Sequence, residues 1–199
     1  MDDTRRAVVL ALAATIILSI AFSSVFVYYP ITAQISPVSP PVILDSGSNA
    51  GKSDLSGSNT IGVNIGANKT SATITIHPTY QASYYENVTI IRNTDSKSYT
   101  VTLKVYTAVS GLPSDSKALL YLFSKGATRS LSGWPSSNLA PASGSYLAVL
   151  DLTQTTTPAT VTLSGGSFVE VDILVYIPEG SKMPTSAVTA EIYLVYTPG

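Results

Sequence analysis

The sequence predicts an all-β protein: an antiparallel β-sandwich of immunoglobulin-like or jelly-roll type, preceded by an N-terminal hydrophobic signal helix and an extended N-terminal strand. Short runs rich in Val, Ile, Thr and Tyr recur along the chain, as is typical of strands with one buried face. Turn-forming groups such as Ser164-Gly165-Gly166 and Pro178-Glu179-Gly180 separate these runs, and no long helical period competes with them.

Composition narrows the possible partners. The 199 residues carry 11 Lys and Arg against 12 Asp and Glu, a formal net charge of −1. Charged residues make up 12% of the chain, about half the usual share in soluble proteins. We therefore expect neither a nucleic-acid partner nor an anionic-membrane partner. The chain has no Cys, which excludes disulfide bonds and thiolate metal sites.

Residues 1–24 are predicted to be a signal peptide or membrane anchor, because Arg5 and Arg6 precede a long apolar run. Three treatments of this segment remain open. A signal peptidase could recognise Ala21 and Ser23 as a small-x-small site and cut near Ser24. A cut just after Ala7, as in type IV pilins, would instead retain the helix. The segment could also stay uncut as a single-pass anchor. We expect the membrane to be a transient partner during export.

Residues 25–44 are predicted to form an extended strand and a proline-rich linker. Their apolar positions alternate with a second set that turns polar after Pro30, and Pro30 argues against a continuing helix. The linker occupies residues 36–41 and leads into a short strand at 42–44. Such a strand could belong to its own domain, or it could extend into a groove of a neighbouring copy and build a head-to-tail polymer. The alternating apolar positions of this strand include Val27, Tyr29, Ile31, Ala33 and Ile35.

Residues 45–199 are assigned to the sandwich domain, which opens with a Ser/Gly/Asn-rich loop over 45–59. A short helix over 114–122 is also considered. The predicted strands are 60–66, 71–77, 86–92, 98–108, 118–124, 144–152, 159–163, 168–177 and 187–196.

Candidate catalytic residues are sparse, so we expect no enzymatic activity, no small-molecule substrate and no cofactor or metal. His77 is the only histidine, and its place at a strand end is typical of a surface residue. An enzyme would need a concave site with a carboxylate hydrogen-bonded to His77. Glu170 and Asp172 share one strand face, which we expect to be solvated while Val169, Val171 and Ile173 point inward.

Two N-glycosylation sequons begin at Asn68 and Asn87. Asn68 is the better candidate of the two because the sequence around it predicts a turn. Glycosylation would agree with an exported protein.

The stretch from Tyr28 to Leu44, YYPITAQISPVSPPVIL, resembles the mature N-termini of surface proteins from thermophilic archaea. These are subunits of extracellular threads and bundling pili, similar to the TasA and camelysin biofilm-matrix proteins. The run YENVTIIRN, with the strand at 99–106, is similar to their first strand pair. The resemblance implies a secreted, glycosylated subunit that polymerises by donor-strand complementation, with roles in adhesion or biofilm. The donor positions that it implies are Val27, Tyr29, Ile31, Ala33 and Ile35.

The expected function is therefore a structural subunit of an extracellular surface filament whose partner is another copy of itself. A membrane-anchored or secreted β-sandwich adhesion module is the first alternative. A type IV pilin-like subunit cleaved after Ala7 is the second.

Overall fold

The computed structural model describes residues 2–21, 28–129 and 145–199. The chain divides into two compact units, Met1–Val38 and Ser39–Gly199. The first unit contains helix α1, Asp3–Ala21, followed by residues 28–38, to which no helix or strand is assigned. Within the described residues, no helix combines the length and apolarity needed to cross a membrane.

Helix α1 follows from its residue types. Ala and Leu favour helix, and neither Gly nor Pro interrupts the run. The carbonyl of Asp2 accepts hydrogen bonds from the N–H groups of Arg5 and Arg6, and Asp3 places a negative charge in the first turn. Whether this helix is a signal or an anchor stays a prediction.

The described residues of the second unit contain ten strands, and the all-β expectation is confirmed. The strands are β1 Val42–Ser46, β2 Gly62–Ile65, β3 Ala72–Thr75, β4 Gln81–Asn93, β5 Tyr99–Thr107, β6 Lys117–Ser124, β7 Ala148–Asp151, β8 Ala159–Leu163, β9 Phe168–Ile177 and β10 Glu191–Pro198. β8 and β9 have the bounds that the sequence predicted, whereas β4 begins earlier than expected and β10 later.

The helix considered over 114–122 is wrong, because this region enters strand β6. β6 pairs antiparallel with both β9 and β7. Its side chains alternate between two apolar environments: Leu120 and Leu122 belong to one buried cluster, and Tyr121 and Phe123 to another. A strand with both faces buried loses the polar alternation that distinguishes it from a helix.

The strands form antiparallel sheets. A five-stranded sheet has the order β1-β4-β9-β6-β7, a three-stranded sheet has the order β10-β5-β8, and β2 and β3 form a separate hairpin. One buried cluster contains side chains from both larger sheets, including Val101 and Leu103 from β5 and Val171 and Ile173 from β9. The two sheets therefore share a core.

A second, smaller cluster covers the other face of the five-stranded sheet. Tyr121, Phe123 and Leu174 are its buried members, and Tyr84 and Tyr146 pack against it. Consequently β9, the central strand, is buried on both faces. This double burial determines the environment of the polar residues on that strand.

Candidate functional site

Residues 28–36, called the N-terminal segment below, expose their apolar side chains. Tyr29, Ile31 and Ile35 have 79%, 92% and 87% of their surface exposed, and Ala33 is exposed as well. Val27 lies outside the described residues. No strand pairing involves residues 28–40 in the single chain, so the predicted strand is not formed there. A strand requires a hydrogen-bonding neighbour, and pairing with a second copy stays a prediction.

The two edges of the three-stranded sheet differ in how well they are covered. On β8 the inward side chains Ala159, Val161 and Leu163 are buried. On β10 the corresponding side chains Ile192 and Leu194 are only partly buried, although they pack against the same core. The core is therefore less complete beside β10 than beside β8.

An ionic cluster lies on the covered outer face of the five-stranded sheet. Asp172 has a fully buried side chain, and Arg129 is only 5% exposed. The guanidinium donates from Nε to Asp172 Oδ2 at 2.9 Å and from Nη2 to Asp172 Oδ1 at 3.0 Å. Its Nη1 lies 2.8 Å from Glu170 Oε2, and its carbon lies 4.4 Å from the centre of the Phe123 ring. The guanidinium thus bridges two carboxylates while stacking on an aromatic face.

A distortion in β4 completes the hydrogen bonding of Asp172. Tyr85 pairs with Ile173 and Thr89 with Val171, so the β4 residues between them form a bulge opposite Asp172. Within the bulge Asn87 has a φ of 43° and donates its N–H to Asp172 Oδ1 at 2.7 Å. The Tyr84 hydroxyl, which precedes the bulge, also donates to Asp172.

The pKa values of the cluster reflect this packing. Burial raises the pKa of Tyr84, and its hydrogen bond to Asp172 raises it further. Burial alone would lower the pKa of Arg129, but hydrogen bonds to Asp172 and Glu170 more than compensate and raise it. With both Asp172 oxygens occupied by donors, the cluster is suited to fixing structure rather than to proton transfer.

The expectation that Glu170 and Asp172 lie on a solvated face is wrong. Their relative exposures are 7% and 0%. The expected inward residues, Val169, Val171 and Ile173, do lie in the shared core. The error concerns only the opposite face, which the second apolar cluster covers.

Sequence reasoning missed Arg129 altogether. A signal was available in β9, whose sequence FVEVDILVYI is almost continuously apolar around its two carboxylates. Such a run is typical of a strand buried on both faces, and buried carboxylates require a cationic or hydrogen-bonding partner. The sequence does not show which distant cation provides it.

The two sequons have different surroundings. Asn68 is exposed in the turn between β2 and β3, as the sequence predicted. Asn87 lies in the β4 bulge and is followed by the buried residues Val88 and Thr89. The Thr89 hydroxyl donates to the Asp45 carbonyl at 2.7 Å, so the sequon at Asn87 is integrated into the sheet.

His77 has the carboxylate partner that an enzyme would need. Its Nδ1 lies 2.9 Å from Asp54 Oδ2, which also accepts the backbone N–H of His77 at 2.8 Å. Burial raises the pKa of Asp54, but hydrogen bonds from Leu55 and His77 outweigh that effect and hold it below its usual value. Among the described residues, no nucleophilic side chain hydrogen-bonds the His77 ring. The two hydrogen bonds between His77 and Asp54 stabilise the 45–59 loop.

Three features remain: the predicted cleavage residues, side-chain groups that could hold a metal, and a surface cleft. Ala21 ends helix α1, while Ser23 and Ser24 lie outside the described residues. Across 2–21, 28–129 and 145–199, no group of three or more His, Asp or Glu side chains is placed to hold a metal. A cleft lined by Ser110, Gly111 and residues 184–189 contains no titratable side chain.

The chain was compared with protein-family models and with curated proteins. No protein-family model matches the chain, and no curated protein matches it. A functional proposal for this chain therefore depends on its exposed N-terminal segment and on the edges of its sheets.

Proposed function

We propose that this protein is the structural subunit of an extracellular surface filament that polymerises by donor-strand complementation. Its second unit is an immunoglobulin-like or jelly-roll sandwich, and its N-terminal segment completes the sandwich of the next copy. The observation that carries this proposal is the exposure of Tyr29, Ile31 and Ile35 on a segment without a strand partner.

Burial of these exposed side chains in a second copy would stabilise the filament. Each large apolar residue contributes about 1.5–3 kcal/mol when it moves from water into a protein interior. Leaving several of them exposed on one short segment forgoes that stabilisation in the single chain. Insertion into a second copy recovers it and adds main-chain hydrogen bonds.

The surroundings of the segment suit a filament. Residues 28–44 contain no charged side chain, so no ionised group would need to be buried when the segment inserts. The linker contains Pro37, Pro40 and Pro41, which favour an extended conformation over compact local structure. A head-to-tail contact of this kind does not close on itself and therefore builds a fibre. Export to the cell surface, with roles in adhesion or biofilm, belongs to the same proposal.

The decisive experiment compares the native protein with two matched variants. Mass spectrometry of protein recovered from the cell surface should find a mature N-terminus between Ser24 and Tyr28. Ile31→Asp should abolish filaments in electron micrographs, whereas Thr32→Asp, one residue further along on the opposite face, should preserve them. Deletion of residues 25–36 should give monomers.

Other outcomes identify the alternatives. A mature start at Val8 would indicate a type IV pilin-like subunit, and an intact Met1 or Asp2 would indicate an anchored adhesion module. Filaments that persist after the deletion, or equal effects of the two aspartate substitutions, would refute donor-strand assembly through this segment.

A further inference from the structure

The free side of β10 differs from the other sheet edges. β1 has part of its free edge occupied, because the Leu44 N–H donates to the Lys69 carbonyl at 2.8 Å. β8 has buried inward side chains, and β7, at the corresponding edge of the other sheet, contacts β8. β10 ends its sheet and leaves Ile192, Leu194 and Tyr196 only partly buried. Among the four edge strands of the two larger sheets, β10 is therefore the one where an added strand would best complete the core.

One hydrogen bond shows which backbone groups of β10 face outward. Gly199 donates its N–H to the Ser98 carbonyl at 2.9 Å, continuing the ladder in which Pro198 is opposite Tyr99. In an antiparallel ladder, residues alternate between bonding to the partner strand and pointing away from it. The odd-numbered residues of β10 therefore bond to β5. The N–H and C=O groups of Ile192, Leu194 and Tyr196 point towards the free side.

Pro30 imposes a matching condition on the N-terminal segment. Because proline has no N–H, it is tolerated in a strand where its backbone faces away from the neighbouring strand. If Pro30 faces away, the odd-numbered residues of the segment carry the backbone groups that bond to the acceptor. These include Tyr29, Ile31, Ala33 and Ile35, the same residues whose side chains form the apolar face.

The two conditions determine the orientation of the pair. In an antiparallel pair, two residues that bond to each other are directly opposite and their side chains lie on the same face. Ile31 would then share the core face with β10 residues such as Leu194. In a parallel pair, a bonding residue is opposite one whose own backbone points away. Ile31 would then be opposite Tyr193 or Val195, which are exposed on the outer face.

We propose that the free side of β10 is the acceptor for residues 28–36 of a second copy, and that the two strands run antiparallel. This assignment rests on the filament function proposed above. The segment and β10 are similar in length, since β10 has 8 residues. Both are nearly uncharged, with Glu191 the single charged residue of β10.

The positions of Pro41, before β1, and Gly199, after β10, explain why the donor comes from a different copy. Thr94 donates its N–H to the Pro41 carbonyl at 2.7 Å, and Gly199 bonds to Ser98, so the start of β1 and the end of β10 lie beside the same turn. An antiparallel donor that overlaps β10 fully has its residue 36 at the opposite end, near Glu191. That end is about 27 Å away along eight strand residues, whereas residues 37–41 reach at most about 18 Å. A second copy stacked end to end meets this requirement.

Disulfide trapping tests the assignment cleanly, because the chain contains no Cys. Thr32→Cys would be combined in the full-length chain with Tyr193→Cys or Val195→Cys, two exposed positions on the outer face of β10 that cover neighbouring registers. The matched control combines Thr32→Cys with Thr162→Cys, which is exposed on β8 at the other edge of the same sheet. Filaments would be oxidised and analysed by denaturing electrophoresis with and without reductant.

We expect one of the β10 pairs to give a covalent ladder that collapses to monomer on reduction, while the β8 control stays monomeric. If Thr32 and Tyr193 link, Tyr28→Cys with Thr197→Cys should link too, because the sum of paired positions is constant in an antiparallel register. Filaments that link through β8, or through neither β10 pair, would overturn the acceptor assignment and leave the filament function standing. Wild-type protein that forms no filaments would overturn both.

Discussion

Removing the Arg129 side chain should destabilise the domain more than removing any other single charge among the described residues. Arg129→Met keeps an unbranched, partly apolar side chain over Phe123 but removes the cation that is paired with Asp172. The Asp172 side chain is fully buried, and the donors that it would retain among the described residues are the Asn87 N–H and the Tyr84 hydroxyl. Removing one partner of a buried ion pair costs about 3–5 kcal/mol, because the remaining charge is uncompensated.

That loss is large on the scale of the whole domain. Domains of ordinary stability unfold with about 5–15 kcal/mol, so Arg129→Met should lower the urea midpoint sharply in far-UV circular dichroism. Glu86→Gln is the matched control, since Glu86 is 51% exposed and its carboxylate lies 3.7 Å from Arg129. An exposed pair of this kind contributes about 1 kcal/mol or less.

A double-mutant cycle separates the buried pair from simple loss of packing. Arg129→Met combined with Asp172→Asn removes both charges, so the double variant should lose clearly less than the sum of the two single losses. Strict additivity, or an Arg129→Met midpoint equal to that of wild type, would refute the view that Arg129 neutralises Asp172.

Three further predictions concern other parts of the second unit. Hydrogen bonds from two cationic side chains lower the pKa of Asp45 in the folded protein. The stabilisation that Asp45 provides is therefore present above its unfolded-state pKa and is lost as the pH falls through its folded-state pKa. Asp45→Asn should therefore cost up to about 1 kcal/mol at neutral pH and almost nothing in strong acid, as urea titrations at both pH values would show. Gly47→Ala should cost about 1–3 kcal/mol in the same assay, because its Cβ would lie 2.0 Å from the Asn87 carbonyl oxygen. Gly57→Asn, in open space at a positive φ that Asn tolerates, should change little. Glycopeptide mass spectrometry of surface protein should find glycan on Asn68, and a glycan on Asn87 alone would contradict the accessibility argument.

The strands that sequence predicted best are those with strong boundaries at both ends. β9 was placed correctly because Gly165 and Gly166 precede it and Pro178 follows it. The apolar alternation predicts that β10 begins at residue 187. Its pairing with β5 is instead irregular at Glu191 and Ile192, and alternation does not reveal such a shift.

The ionic cluster shows a different limit of sequence reasoning. Alternation assigns side chains to one of two faces but does not say what covers each face. The alternation assigns Glu170 and Asp172 to the correct face, but the prediction that solvent covers that face is wrong. The covering residues, Arg129 and Tyr146 among them, follow β6 or precede β7 and reach β9 only through tertiary packing.

The proposed acceptor gives the proline in the segment a testable role. Pro30 lacks a backbone N–H, and the hydrogen bond from Gly199 to Ser98 shows which residues of β10 have their backbone groups on its free side. A second proline should therefore have opposite effects at adjacent positions. Thr32→Pro removes an N–H that faces away from β10 and should preserve filaments. Ala33→Pro removes an N–H that bonds to the acceptor and should abolish them, although it replaces one small apolar side chain by another. Electron microscopy of the two variants distinguishes the cases, and filaments formed by Ala33→Pro but not by Thr32→Pro would require the opposite set of residues to bond to the acceptor.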